Sequence, residues 1–318
     1  MALSDLTVYS EYAYKTLTEL YAQEVDKFNA ASNGCISLSA AANLGDFQNE
    51  ASWQKISGLV RRRNAYGTGA VTAKKLVNIV DTMVKIAAGT PPIEINPSQF
   101  LWIQQSPEIA GATLGKQLAV DLMADMLNTS LAAAYAAMVQ TTAILYDATA
   151  DTPATLSPAA LTKAAAKMGD RYGDIGAWVV HSTPIHNFWG NNISNSVNLF
   201  NYGTVNVMAD PFGRRFIVTD SPSLLVATKY YTLGLVEGAI RIEQNNDYLD
   251  NVASLNGNDN ITKTWQAEWS YNLGIKGYSW DATNGGKSPN DAAIVLSTNW
   301  DKYASSDKDG PGVILKTN

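Results

Sequence analysis

"SPEIAGATLGKQLAVDLMADMLNTSLAAAYAAMVQTTAILYDA", residues 106–148, carries more apolar surface than a helix lying on water needs. Ser106 is placed to cap the N-terminus, Pro107 has the fixed φ that suits the first helical position, and Glu108 complements the dipole. Leu114, Leu118, Leu122 and Met126 make one stripe, and Val120, Met123, Leu127, Leu131, Ala134 and Met138 a second. Two stripes widen the apolar face, so the helix is embedded. Followed to Tyr146 it spans about 40 residues, roughly 60 Å at about 1.5 Å per residue. That is far above the mean length of about 11–12 residues. Such a helix in a mixed protein is an architectural beam. Gly111 and Gly115 near its start mark a kink or a close crossing.

Upstream, residues 4–30 read as an amphipathic helix: Leu6, Tyr9, Ala13, Leu17, Leu20, Tyr21 and Val25 recur at three- and four-residue steps. Ser4 and Asp5 start it and Asn29–Gly34 stops it. Residues 35–104 differ. "CISLSAAANLGDFQ" (35–48) has β character, and "GLVRRRNAYGTGAVTAKK" (58–75) is a Gly-punctuated turn between polar, basic flanks. "IVDTMVKIAAGTPPIEINPSQFLWI" (79–103) alternates and then breaks at Pro91, Pro92 and Pro97, with Leu76–Ile86 a candidate short helix. The stretch reads as an extended, hairpin-like arm with little core of its own, which must lie on something else.

Downstream, Asp147–Pro158 is a linker by composition. Ser157-Pro158 opens a short Ala-rich helix closed by Gly169, "IGAWVVHS" (175–182) is a buried strand, and Thr183-Pro184 opens another helix. "GTVNVMADPFGRRFIVTDSPS" (203–223) reads as two strands around a turn at Asp210–Gly213, and "KYYTLGLVEGAIRIEQNND" (229–247) as a strand pair broken at Gly238. Together they form a compact α/β unit. From Leu249 to Tyr278 alternation returns, with Trp265, Ala267 and Trp269 on one face and Thr264, Gln266 and Glu268 on the other. A last helical segment starts at Ser288, and the charged tail after Tyr303 reads as loose.

At 318 residues the chain is long enough to bury a sizeable core. A net charge of −6 argues against a protein that coats DNA over its whole surface. Cys35, the only cysteine, excludes an internal disulfide and a thiolate-rich metal site and fits a reducing cytoplasm. The N-terminus lacks the basic start and apolar core of a secretion signal. No uninterrupted apolar run approaches the roughly 20 residues of a membrane span.

Chemistry-bearing motifs are few. His181 and His186 are five apart, whereas a zinc-binding helix needs two histidines four apart with a glutamate between. His181 reads as a residue bonded to backbone at a helix cap, and His186 as packed or on the surface. The nearest carboxylates, Asp170, Asp174 and Asp220, stand across loops or strands, and no G-x-S-x-G elbow is present. "GTGAVTAKK" (67–75) lacks the spacing of a phosphate loop. "NDYLDNVASLNGNDN" (246–260) lacks that of a calcium loop and reads as an Asn/Asp/Gly turn. Arg61, Arg62 and Arg63 suit either nucleic-acid phosphates or acidic residues of a neighbouring chain. The overall acidity favours the neighbour; in strand geometry Arg61 and Arg63 share a face. An enzyme built on His181 or Asp220 is the outlying alternative.

Four segments carry a family resemblance: "WVVHSTPIHNFWGNN" (178–192), "VNVMADPFGRRFIVTDSPSL" (205–224), "KYYTLGLVEGAIRI" (229–242) and "NGGKSPNDAAIVLSTNW" (284–300). Their order, behind a helical arm, an extended loop and a very long helix, resembles the tailed-bacteriophage major capsid proteins of the Hong Kong 97-type fold. The resemblance implies an α+β chain with an N-terminal arm over 1–35 and an extended loop (E-loop) over 36–104. It implies a peripheral domain from 105–150, holding the spine helix, and 246–318, with an inserted axial domain over 151–245. The expected role is a shell subunit and not an enzyme, with no catalytic residue, metal or cofactor. Such subunits form pentamers and hexamers that enclose a phage genome in an icosahedral head, through heterologous contacts that close into rings and add by multivalency. Arg61, Arg62, Arg63, Lys74 and Lys75 are the expected inter-subunit contacts.

Expected partners are other copies of the chain, a separate scaffolding protein, a portal, a decoration protein in some assemblies, and double-stranded DNA held non-specifically on the inner face; no membrane is expected. The separate scaffold is inferred because only residues 1–35 precede the loop. Assembly is expected in the host cytoplasm and residence in the virion capsid. No Lys–Asn crosslink of the kind some members form is assigned. An encapsulin-type bacterial compartment shell is the second expectation, ranked lower by the Asn/Thr-rich loops and the phage-like near-terminal segment.

Overall fold

The computed structural model describes residues 3–318, apart from 42, 44, 54–55, 57–58, 190–196, 203–204, 210–213 and 256–260. The expected turn at Asp210–Gly213 lies outside the described residues. In chain order the first elements are α1 (Leu3–Ala31), β1 (Ile36–Ala41), β2 (Phe47–Trp53), β3 (Asn78–Gly89), β4 (Ile93–Ile95), α2 (Pro97–Gln105) and α3 (Pro107–Val139). Then come β5 (Leu145–Asp147), α4 (Pro158–Ala165), β6 (Ile175–His181), α5 (Ser182–Trp189), β7 (Val197–Tyr202), β8 (Val205–Ala209) and β9 (Arg215–Thr219). The rest are β10 (Leu225–Val226), β11 (Lys229–Val236), β12 (Ile240–Asn245), β13 (Leu249–Leu255), β14 (Thr262–Ile275), β15 (Tyr278–Trp280), α6 (Asp291–Ile294), β16 (Trp300–Lys302) and β17 (Gly312–Thr317).

The beam is α3, ending at Val139 rather than Tyr146; a single 3₁₀ turn over Thr142–Ile144 and then β5 take over. At about 1.5 Å per residue it is roughly 50 Å long. Ser106 stands at the N-cap position but its side chain makes no capping bond. Leu122, Met126, Leu127, Leu131 and Met138 are almost wholly buried. By length and composition α3 would suffice to cross a membrane, a property missed by counting only uninterrupted apolar residues; 67% of its most apolar window is buried inside the protein. It is a core helix.

α1 lies directly on α3. A Cβ at Gly111 would sit 2.4 Å from the Tyr9 carbonyl oxygen, and one at Gly115 2.4 Å from that of Ala13. The two numberings rise together, and the Tyr21 hydroxyl meets Met126 Sδ at 3.5 Å further on, so the helices run parallel. The glycine pair therefore makes a close crossing, not a kink.

Two sheets complete the core. In the first, the 14-residue β14 is the hub: β12, β13, β3, β4 and β15 all pair with it, β1 adds parallel to β12, and β2 adds to β3. The alternation in β14 holds, with Trp265, Ala267 and Trp269 buried and Gln266 and Glu268 exposed. The second sheet runs β5-β17-β11-β6-β9-β8-β7, with β10 on β11.

Four local expectations change. Leu76–Ile86 is no helix: residues 78–89 form β3, because pairing to β2 and β14 outweighs local propensity. Asn290, not Ser288, caps the last helix, its side chain accepting from the Ala293 N–H at 2.9 Å. The tail is not loose, since β17 sits between β5 and β11 with Val313, Ile314 and Leu315 fully buried. β11 and β12 are not a pair; the chain changes sheets at Gly238, whose φ of +66° favours glycine. Sheet membership thus differs from the expected segment bounds at 240–245 and 312–317, and α2 is an element the sequence reading left out.

Candidate assembly surfaces

The arm is built from β2 and β3, paired in antiparallel register from Phe47↔Val84 to Trp53↔Asn78. Between Trp53 and Asn78 the described residues belong to neither sheet. The described part of that excursion is fully exposed from Leu59 to Asn78. Its tip turns at Asn64, whose side chain accepts from the Tyr66 N–H at 3.0 Å and whose carbonyl accepts from the Gly67 N–H at 3.3 Å.

Arg61, Arg62, Arg63, Lys74 and Lys75 all fall on this excursion and all are exposed. The three arginines make no hydrogen bond or ion pair among the described residues. Beside them, Val60 and Tyr66 are 95% and 96% exposed, and Leu59, Val71, Leu76 and Val77 are open to solvent. Apolar side chains grouped on one projection mark a surface that another body covers.

The root of the arm is fixed, by residues the sequence reading missed. Arg241 on β12 reaches Asp81 on β3 and Glu50 on β2, and the Tyr303 hydroxyl donates to Asp81 Oδ2. Asp81 is 4% exposed; burial pushes its carboxyl above the usual range, and the Arg241 charge pulls it back. Burial also pushes the Tyr303 hydroxyl up, to about 12. The signal was a lone acid inside the apolar run "IVDTMVKI" (79–86). Next to this clamp Asn245 and Asn272 exchange side-chain amide bonds, and Gln48 Oε1 accepts from Asn272 Nδ2 at 3.0 Å, tying β2 to the sheet interior.

A cleft of about 540 Å³ opens where α3, the sheet end of β3 and the start of α6 meet. Trp269 and Tyr271 line it, with Leu118 and Leu122 from α3. Asp121, Asp125 and Asp291 stand in the same lining. None of the three carboxylates has a cationic partner among the described residues. Desolvation pushes the Asp125 carboxyl up, and the Asp291 charge adds to it.

The histidines assemble no relay. His181 Nδ1 accepts from the Thr183 N–H at 3.2 Å, and its ring packs 5.3 Å from that of Tyr230. The Ser182 hydroxyl donates to Asp220, while His186 is exposed on α5. The carboxylate therefore accepts the serine's hydrogen bond instead of orienting the imidazole, the reverse of what a serine nucleophile needs. Cys35 is fully buried with its thiol pushed up to about 11, which suppresses the reactive thiolate.

A family model described as "Gp13-like: Major capsid protein 13-like" matches residues 5–314. Among solved structures, the cyanophage Pam1 capsid asymmetric unit is similar with a TM-score of 0.53 at 8% identity, over 89% of this chain and 88% of that one. The capsid of Ralstonia phage GP4 gives a TM-score of 0.46 at 9% identity, over 90% and 87%. No curated protein matches the chain. At such identities the likeness to the cyanophage capsid concerns the fold.

Proposed function

The chain belongs to the Gp13-like major capsid protein family, and from that premise we propose how this shell subunit meets its neighbours. Its role is structural: it forms the capsid of a bacteriophage. In our reading the subunits close into pentamers and hexamers, and each E-loop arm lies across a neighbour. The arm's uncovered apolar tip carries this reading. Arg61, Arg62, Arg63, Lys74 and Lys75 are the contacts it makes, as ion pairs at the edge of an apolar seam.

We read α1 as the N-terminal arm (1–35), residues 36–104 as the E-loop, and α3 as the spine of the peripheral domain (105–150 and 246–318), as in the Hong Kong 97-type fold. Residues 151–245 are read as the axial domain. The two sheets support this division, with β12 grouped with the peripheral sheet and β17 with the axial one. A separate scaffolding protein, a portal, a decoration protein in some assemblies, and non-specifically held DNA on the inner face complete the proposed assembly, built in the host cytoplasm. The encapsulin alternative is not favoured, since the family and its structural likeness are those of phage capsids.

Electron microscopy of the purified chain tests this. Closed shells or capsomer rings are expected, with DNA in particles taken from infected cells. A monodisperse monomer at all concentrations overturns it.

A further inference from the structure

Among the described residues, the arm presents three guanidinium groups without an anion, and the α3–β3–α6 cleft three carboxylates without a cation. We propose that the cleft is the seat for the Arg61–Arg63 tip of a neighbouring copy. This rests on the shell-subunit reading and names the surface on which the arm lies.

The lining suits that occupant. The exposed Asp121, Asp125 and Asp291 offer carboxylate acceptors for a guanidinium N–H fork, beside the edge of the largely buried Trp269. Leu118, Leu122 and Ile86 give apolar walls for Leu59 and Val60, which flank the arginines on the tip. A metal ion is a poorer match: among the described residues no group of three or more His, Cys, Asp or Glu side chains is arranged to hold one.

Topology selects a second copy over the same one. β3 is one continuous strand with the tip of the arm beyond Asn78 and the wall of the cleft at Ile86–Gly89. The strand therefore carries its own tip away from its own cleft. Residues 59–77, doubled back at about 3.3 Å per residue, extend roughly 30 Å, enough to cross onto an adjacent subunit.

The test places one cysteine at Arg62 and one at Asp125 (Arg62→Cys, Asp125→Cys) in the full chain, where buried Cys35 stays unreactive. Assembled particles are treated with a short bismaleimide and separated by denaturing electrophoresis. The double variant is expected to give a ladder of dimers and higher species, and an equal mixture of the two single variants mainly dimers. Particles that form normally yet yield no ladder overturn the inference and leave the shell reading standing. Failure of the unmodified chain to form shells or rings overturns both.

A charge exchange gives an independent readout. Arg61→Glu, Arg62→Glu and Arg63→Glu together are expected to lower particle yield at least tenfold, and Asp121→Lys, Asp125→Lys and Asp291→Lys in the same chain to restore it. Unchanged yield in the glutamate variant, or no recovery in a combined variant that stays folded by circular dichroism, overturns the pairing.

Discussion

Arg241 Nη2 lies 2.5 Å from Asp81 Oδ2, while Nη1 of the same guanidinium lies 2.6 Å from Glu50 Oε2. One side chain on β12 thus holds both strands of the arm where they leave the sheet. The exposed excursion beyond them can be long and unsupported because its root is fixed.

Removing Arg241 leaves the Asp81 charge buried without its cation. Breaking a buried pair from one side costs about 3–5 kcal/mol. Arg241→Met is expected near the lower figure, because its own side chain keeps 26% exposure. The double variant Arg241→Met/Asp81→Leu should recover part of the loss, since no buried unpaired charge remains and Glu50, which also loses its partner, is exposed. Urea unfolding of the four proteins in a double-mutant cycle measures this; additive losses would mean the two groups do not interact.

The crossing of α1 and α3 tolerates no side chain at its centre. Gly115→Ala puts a methyl group 2.4 Å from the Ala13 carbonyl oxygen, and a backbone atom cannot step aside as a side chain would. Overpacking costs about 1–3 kcal/mol, and this site should reach the upper end. A fall in Tm for Gly115→Ala, with little change for the exposed control Lys116→Ala, is the expected pattern.

Acid sensitivity has one identifiable source at the edge of the second sheet. The Asp147 carboxyl on β5 is held down to about 2, first by the Lys316 ammonium on β17 and then by Thr149. A folded value below the ordinary 3.8 gives stability that is present above 3.8 and lost as pH falls through about 2. Asp147→Asn should therefore be less stable than the parent at neutral pH, and the two should converge as the pH drops towards 2. A constant gap in chemical unfolding across that range would remove this ion pair from the acid response.

Cys35 should be silent in the native protein. Its thiol is buried and titrates near 11, so iodoacetamide at pH 8 is expected to leave the intact mass unchanged for hours. Labelling should become complete once urea unfolds the chain. Rapid native labelling would show that the contact between α1 and the sheets opens.

Much of the fold was legible where a pattern repeats. α1 came from its three- and four-residue spacing, α3 from its two stripes, and the burial of β14 from strict alternation at Trp265, Ala267 and Trp269. The end of α3 was misplaced because the apolar run Ala143–Tyr146 reads on as more helix, and only pairing to β17 makes Leu145–Asp147 a strand. The tail was misread for the same reason. Its Asp, Lys and Gly residues look solvated, yet Val313–Leu315 run through the middle of a sheet. Of the candidate surfaces, the exposed arginines were legible as a run. The clamp and the acidic cleft were not, since each gathers residues far apart in the chain: Glu50, Asp81, Arg241 and Tyr303 in one, Asp121, Asp125 and Asp291 in the other.

The sequence by itself determined the order of parts: an amphipathic arm, a basic extended loop, a long embedded helix, an α/β unit and a returning sheet. These are local properties, set by periodicity, caps and breakers within a few residues of one another. Only the tertiary structure decided that β11 and β12 go to different sheets, that β17 closes the second sheet, and that Arg241 locks the arm. Backbone pairing and charge compensation act between residues close in space, and separations such as the 160 residues from Asp81 to Arg241 leave no trace in a local pattern.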